Sequence, residues 1–225
     1  MIKIFFNVIN FYLLLNIVLA NQTFHYNIKY LGFNAADCHI SIKDTVYHSY
    51  NNATKVTFVV KTKNFFDLIY PIKNTYSIIL DELDNIIYFS KITSQPGLSN
   101  ILETEMIDNN VLYKDTNFYI KQGQYNIFSL LYQIMLRRSI PENINIEREG
   151  MIYNGIVKKN INEYDIYLNK DENNNIGIIE NTDIFTWALF KNNSKRKIIV
   201  NDNIDRIEKC IFKLGFTSMT ANFIE

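Results

Sequence analysis

Few residues in this chain stand at the spacings that catalysis or metal binding requires. The three histidines, His25, His39 and His48, all fall in the first quarter of the sequence. They lie in alternating runs that read as strands, and nothing in their spacing sets up the paired ligation of a zinc site. Carboxylates recur two residues apart at Glu103/Glu105 and Glu147/Glu149. On a strand that spacing puts both members on one face, as acid–base chemistry beside a cavity would need. Their neighbours are ordinary surface residues, so a solvated face is the expectation for both pairs. The chain has no Gly-rich phosphate loop, no G-x-S-x-G elbow and no Cys-x-x-Cys pair. No catalytic residue, metal ligand or cofactor is therefore assigned.

What the sequence supplies in quantity is aromatic surface. Phe65, Phe66, Tyr70, Tyr125, Phe128, Tyr132, Phe185 and Trp187 could line the interior of a closed sheet. From these, Phe65, Phe66, Tyr70, Tyr132 and Trp187 are the candidate contacts to an apolar or amphiphilic ligand, with Arg137 the candidate partner of its head group. Such an interior is either filled core or a ligand cavity. The choice depends on strand number and shear, which spacing does not reveal.

Composition narrows the classes. The 225 residues carry 23 Lys plus Arg against 23 Asp plus Glu, without the basic excess of a general nucleic-acid binder. With 48% hydrophobic and 14% aromatic residues the chain is not a disordered polyelectrolyte. It holds 31 Asn and 36 Ile, so Asn-x-Ser/Thr sequons at Asn21, Asn52 and Asn192 are expected by chance alone.

The positioning elements follow from periodicity. Met1–Ala20 has a cation at Lys3, an apolar run and a small residue at its end, the form of an export signal cleaved after Ala20. The alternative is an uncleaved anchor, against which Asn7, Asn10 and Asn16 interrupt the apolar run. No other stretch reaches the length of a membrane span. From Thr23 onward alternation dominates, as in Phe24–Tyr30, Lys55–Lys61, Tyr164–Leu168, Asp183–Phe190 and the two final runs joined at Gly215. Turns are expected at 50–52, 84–85, 108–110 and 173–175, where Asn and Asp cluster. The exception is Tyr125–Arg138, whose Ile127, Leu130, Leu131, Ile134 and Met135 predict one amphipathic helix, with Asn126 as its N-cap, the two arginines in the last turn and Pro141 beyond. One helix among about a dozen strands predicts an all-β, mainly antiparallel domain over 21–225, a barrel or a sandwich. Cys38 and Cys210 either pair, if the first and last strands are neighbours, or remain separate buried thiols.

Several stretches, in fixed order, resemble one family. They are Tyr30–Cys38 with its Gly-containing kink, Lys61–Ser77 with Phe65-Phe66 and Tyr70, Asn126-Ile127-Phe128-Ser129-Leu130-Leu131-Tyr132, Trp187, and Leu214–Ala221. Together they are similar to the exported bacterial family of domain of unknown function 3108. The chain departs from its pattern in having Ala36 for a second Gly, Asn126 for Asp, and Phe190-Lys191-Asn192-Asn193 for the acidic residues after the Trp. The resemblance implies a periplasmic, barrel-like domain of the Gram-negative envelope and no established reaction. Two functions are carried forward: a binding module for a lipid or cell-envelope fragment, and an envelope interaction protein with a filled core that works through strand edges or loops. An enzyme using the carboxylates ranks below both.

Overall fold

The structure, a computed structural model, describes residues 21–116, 118–121, 123–175 and 182–225. The segment read as an export signal lies outside these residues. Fourteen strands are described: β1 (Gln22–Tyr30), β2 (Phe33–Tyr47), β3 (Tyr50–Thr62), β4 (Lys73–Leu80), β5 (Ile86–Gln95), β6 (Leu98–Ile107), β7 (Asn110–Tyr113), β8 (Phe118–Lys121), β9 (Asn143–Arg148), β10 (Met151–Asn160), β11 (Glu163–Asn175), β12 (Lys195–Val200), β13 (Ile207–Leu214) and β14 (Thr217–Phe223). They form one antiparallel sheet in the order β8-β7-β6-β5-β4-β3-β2-β1-β14-β13-β12-β11-β10-β9. The sheet is a meander whose first and last strands pair, with Tyr26 opposite Phe223 and Ile28 opposite Ala221. Three helices interrupt it: α1 (Asn64–Ile69), α2 (Ile127–Met135) and α3 (Ile184–Leu189).

Alternation explains the sheet's inner face. Tyr26 and Ile28 of β1, Cys38 and Ile40 of β2, Phe58 and Val60 of β3, and Tyr76 and Ile78 of β4 are all buried and stand in register. β8 and β9 are the sheet's edges, and Tyr125, just before α2, bridges to β9. Tyr125 donates its N–H to the Asn145 carbonyl at 3.1 Å and accepts from the Glu147 N–H at 2.8 Å, a parallel bridge to β9. Gly123 makes this approach possible, since a Cβ there would lie 2.7 Å from the Glu147 backbone nitrogen. The result is a barrel-like sheet with α2 inside it. Seven of the nine residues of α2 are buried, and Phe128 stacks on Tyr76 at 4.4 Å while touching Phe58 at 5.1 Å and Phe89 at 5.9 Å.

The expected helix is present but shorter. Asn126 caps it in a reciprocal box with Ser129, and Arg137, at φ 53°, ends it, so both arginines lie beyond the last turn. The run Asp183–Phe190, read as a strand, is instead α3. Asp183 accepts hydrogen bonds from the Phe185 and Thr186 N–H groups, and a short apolar run fits either period until its cap decides. α1 is likewise an unexpected helix. The turn expected at 50–52 is made two residues earlier, around His48 at φ 49°, and 173–175 belongs to β11. Cys38 and Cys210 are free thiols. The terminal strands are neighbours, but the cysteines sit one strand further out on either side, on β2 and β13, with β1 and β14 between them. That separation exceeds the reach of a disulfide. Burial pushes both thiols up to about 12.

Two outcomes are expected. Native protein held in an oxidising buffer resists alkylation, and after unfolding it takes up two equivalents of reagent, as intact mass will record. Gly123→Ala, which forces the seam apart, lowers stability in urea titration by about 1–3 kcal/mol.

Candidate functional site

The inner face of the sheet divides into an apolar part and a polar part. On β4 and β5 the inward positions include Asn74, Tyr76, Lys91 and Thr93, each at most 1% exposed. Lys91 stands opposite Tyr76, so a cation sits where neighbouring strands place aromatic and aliphatic groups. It is held by two carboxylates from distant parts of the chain. Its Nζ donates to Glu149 in the β9–β10 turn, to Asp183 Oδ2 at 3.0 Å and to Thr182 Oγ1 at 3.1 Å. Arg148 Nε meets the other Glu149 oxygen at 3.2 Å, so two cations and two anions form a neutral buried chain. Tyr76 donates its hydroxyl to Asp183 Oδ1 at 2.6 Å, and Asn74 donates to that hydroxyl at 3.2 Å. Burial alone would raise the Asp183 carboxyl; the Lys91 charge and the Tyr76 hydroxyl outweigh it and hold it below the usual range.

Glu147 sits beside this chain without a cation of its own. Tyr113 of β7 donates its hydroxyl to Glu147, and the Gly150 N–H reaches both groups, at 2.6 Å to Tyr113 and 2.9 Å to Glu147. Burial, assisted by the Glu149 charge and opposed by these hydrogen bonds and Arg148, raises the Glu147 carboxyl to about 7. The second carboxylate pair is therefore inside the protein, contrary to the solvated face expected of it. Glu103 and Glu105 are half-buried on the outer face, where they accept hydrogen bonds from Tyr88 and Tyr47.

The apolar part holds a half-open cavity of about 160 Å³. Its walls are the inner faces of β1–β3 and β11–β14, closed by Ile127, Phe128 and Leu131 of α2 and by Phe185 and Leu189 of α3. Ile28, Phe58, Ile166, Ile198, Phe212 and Ala221 are among the strand residues that line it. Every residue of β14 is half-buried, and its inward positions Met219 and Ala221 line the cavity at the margin of the core. Arg196 reaches the wall, but its guanidinium donates to the carbonyls of Leu189, Lys191 and Ser194 and is spent on holding the end of α3. Burial lowers it to about 10.

None of the six residues proposed from sequence as ligand contacts lines this cavity. Phe65 and Trp187 are exposed on α1 and α3, Trp187 beneath the Lys191 ammonium at 4.6 Å. Phe66 packs edge-on to Tyr30, Tyr70 is half-buried after α1, and Tyr132 is core. Arg137 lies past α2, with Nε and one terminal nitrogen buried and unpartnered. Sequence reasoning missed Lys91, Asp183 and Tyr76. The signal was present in part: Lys91 has the parity of the inward Phe89 and Thr93. His25 and His39 face each other across β1 and β2 with rings 4.2 Å apart, and His48 lies 3.2 Å from Glu105. Among the described residues no group of three His, Cys, Asp or Glu is placed to hold a metal ion, and no helix is long and apolar enough to cross a membrane.

Lys91→Met leaves two carboxylates buried without their cation and is expected to lower stability at pH 7 by about 3–5 kcal/mol. In the parent, Asp183 has a depressed folded value, so its contribution is present at neutral pH and is lost as pH falls below about 4. In the variant that dependence reverses, because protonation relieves the buried charge; urea titrations from pH 3 to 7 distinguish the two. Glu147 has the opposite sign. Its folded value is raised, so stability falls by up to about 3 kcal/mol as pH climbs from the ordinary carboxylate range through 7, and Glu147→Gln abolishes that slope.

No protein-family model and no curated protein matches the chain. Among solved structures, a beta-barrel-like protein of domain of unknown function DUF1849 from Brucella abortus is similar at a TM-score of 0.50 and 8% identity, over 92% of this chain and 97% of that one. The likeness is one of fold. It supports an all-β, barrel-like architecture of the kind that the resemblance to domain of unknown function 3108 implied, without establishing membership of that family.

Proposed function

We propose that this protein is an exported binding module that holds an apolar ligand, or the apolar end of an amphiphile, inside its barrel-like sheet. The observation that carries this reading is the 160 Å³ cavity with its almost wholly apolar wall. An apolar void of roughly 150 Å³ stays dry and accepts a benzene-sized group, so this one suits a ring or a short length of acyl chain rather than a whole lipid. The Arg196 guanidinium at the wall is committed to backbone carbonyls and the Lys197 ammonium to Glu163, so neither charge is free to meet a ligand. A polar head group would stay outside. The N-terminal export signal and the resemblance to a periplasmic family favour a cell-envelope lipid or fragment as the source and the Gram-negative periplasm as the place.

Protein recovered from a periplasmic expression host is expected to show a mass excess under native conditions that vanishes on denaturation and extracts into organic solvent. Ala221→Leu, which fills the cavity from β14, is expected to reduce that excess while stability holds or rises by about 1 kcal/mol. No excess, together with no stabilisation by added apolar ligands, would favour the envelope interaction protein instead.

A further inference from the structure

One end of the barrel carries an apolar rim set in positive charge. The β1–β2 turn presents Leu31 and Phe33, α1 presents Phe65 and Leu68, the β13–β14 turn presents Phe216, and α3 presents Trp187. Leu68 is 85% exposed, Phe33 70% and Phe216 fully exposed. These segments are tied into one surface. Leu31 N–H donates to Ser218 at 2.8 Å, Lys63 N–H donates to Ala35 at 3.0 Å, Tyr30 packs against Phe66 at 6.4 Å, and Lys195 pairs with Lys213 beside the β13–β14 turn. Exposed aromatic and leucine side chains gathered at loop tips are uncommon on a surface that meets only water.

The charge around them is one-sided. Lys29, Lys61, Lys73, Lys191, Lys195 and Lys213 are all exposed in or beside these segments. The carboxylates within the same segments are committed: Asp37 pairs with Lys63, and Asp67 accepts from the Thr62 hydroxyl. The opposite end has exposed apolar tips too, Leu83, Ile161 and Ile204, but its charge is mixed, with exposed Asp44, Glu82, Asp202 and Asp205 near Lys43 and Lys159. A chain of zero formal charge thus concentrates unpaired cations around its apolar rim.

The rim also adjoins the cavity. α3 turns Phe185 and Leu189 inward to the cavity wall and leaves Ile184 and Trp187 exposed at 42% and 46%. We propose that this end docks on an anionic bilayer surface, the apolar tips entering the acyl boundary and the lysines meeting lipid phosphates, so that α3 lies between membrane and cavity. The purpose of docking, exchange of an amphiphile, rests on the cavity being its binding site; the docking itself does not.

The chain's single tryptophan, Trp187, stands on the rim and reports contact directly. The test uses vesicles of phosphatidylcholine with or without phosphatidylglycerol, read by flotation and by Trp187 emission. Docking predicts partition to the anionic vesicles at low salt with a shift of emission to shorter wavelength. It predicts loss of both as salt rises to about 0.5 M. Phe216→Glu with Leu68→Glu, both at exposed positions, should weaken partition about tenfold or more and leave the fold intact. The parent and variant share one N-terminus, so that segment cannot account for a difference between them. Absence of partition to anionic vesicles, or equal partition by the variant, overturns the proposal and leaves the rim to a protein partner. The two readings separate cleanly: rim variants should keep a native mass excess that Ala221→Leu loses, and Ala221→Leu should keep vesicle binding.

Discussion

A single buried ammonium joins parts of the chain that the sheet does not hold together. Lys91 lies on β5, Glu149 in the turn after β9, and Asp183 at the cap of α3. Neither partner can leave without exposing an unpaired charge to a low-dielectric interior, so the arrangement is all-or-none. Tyr76 joins β4 to the same carboxylate that caps α3, which makes the helix's first turn an extension of the barrel wall. At its other end α3 is fixed by Arg196, which collects three carbonyls. A six-residue helix has little stability of its own; its two ends are set by buried charge.

The same logic acts at the seam. Edge strands expose unpaired backbone groups, and a sheet of this length must protect both of them. Here the segment before α2 covers β9, and Tyr113 with Glu147 and Gly150 clamps β7 across the gap. Because Glu147 has no facing cation, its proton is the cheapest means of neutrality, and its raised value follows. Ion network and seam meet in the three residues Glu147, Arg148 and Glu149. Closure and the position of α3 are therefore coupled through one tight turn, in which Glu149 itself takes a positive φ before Gly150.

Much of this architecture was legible in the sequence and some of it was not, for physical reasons. The strands of the first and last thirds alternate because one face packs on a helix and the other meets water, so period two survives in the residues. The α2 helix was legible because Asn126 and Ser129 cap it and its apolar stripe is continuous. α3 was not, because five apolar residues and a threonine satisfy both periods and the deciding cap, Asp183, also serves a lysine 92 positions away. The carboxylates at 147 and 149 were misplaced for a related reason: burial of a charge depends on a partner that no local pattern announces. Aromatic residues were a partial guide: Phe128 and Phe185 line the cavity and Tyr125 and Tyr132 are core. Phe65 and Trp187 went outward, and the wall was built largely from aliphatic side chains on strands whose curvature spacing does not encode.

The cavity itself is the feature that least resembles a by-product of folding. Filling it would have been easy: Ala221 and Cys210 are small residues on its wall, at inward positions of β14 and β13. The chain instead keeps small side chains there while packing Phe128 tightly among three other rings a few ångströms away. Close packing on one side of α2 and open space on the other, within a single core, is the contrast on which the proposed binding reading rests.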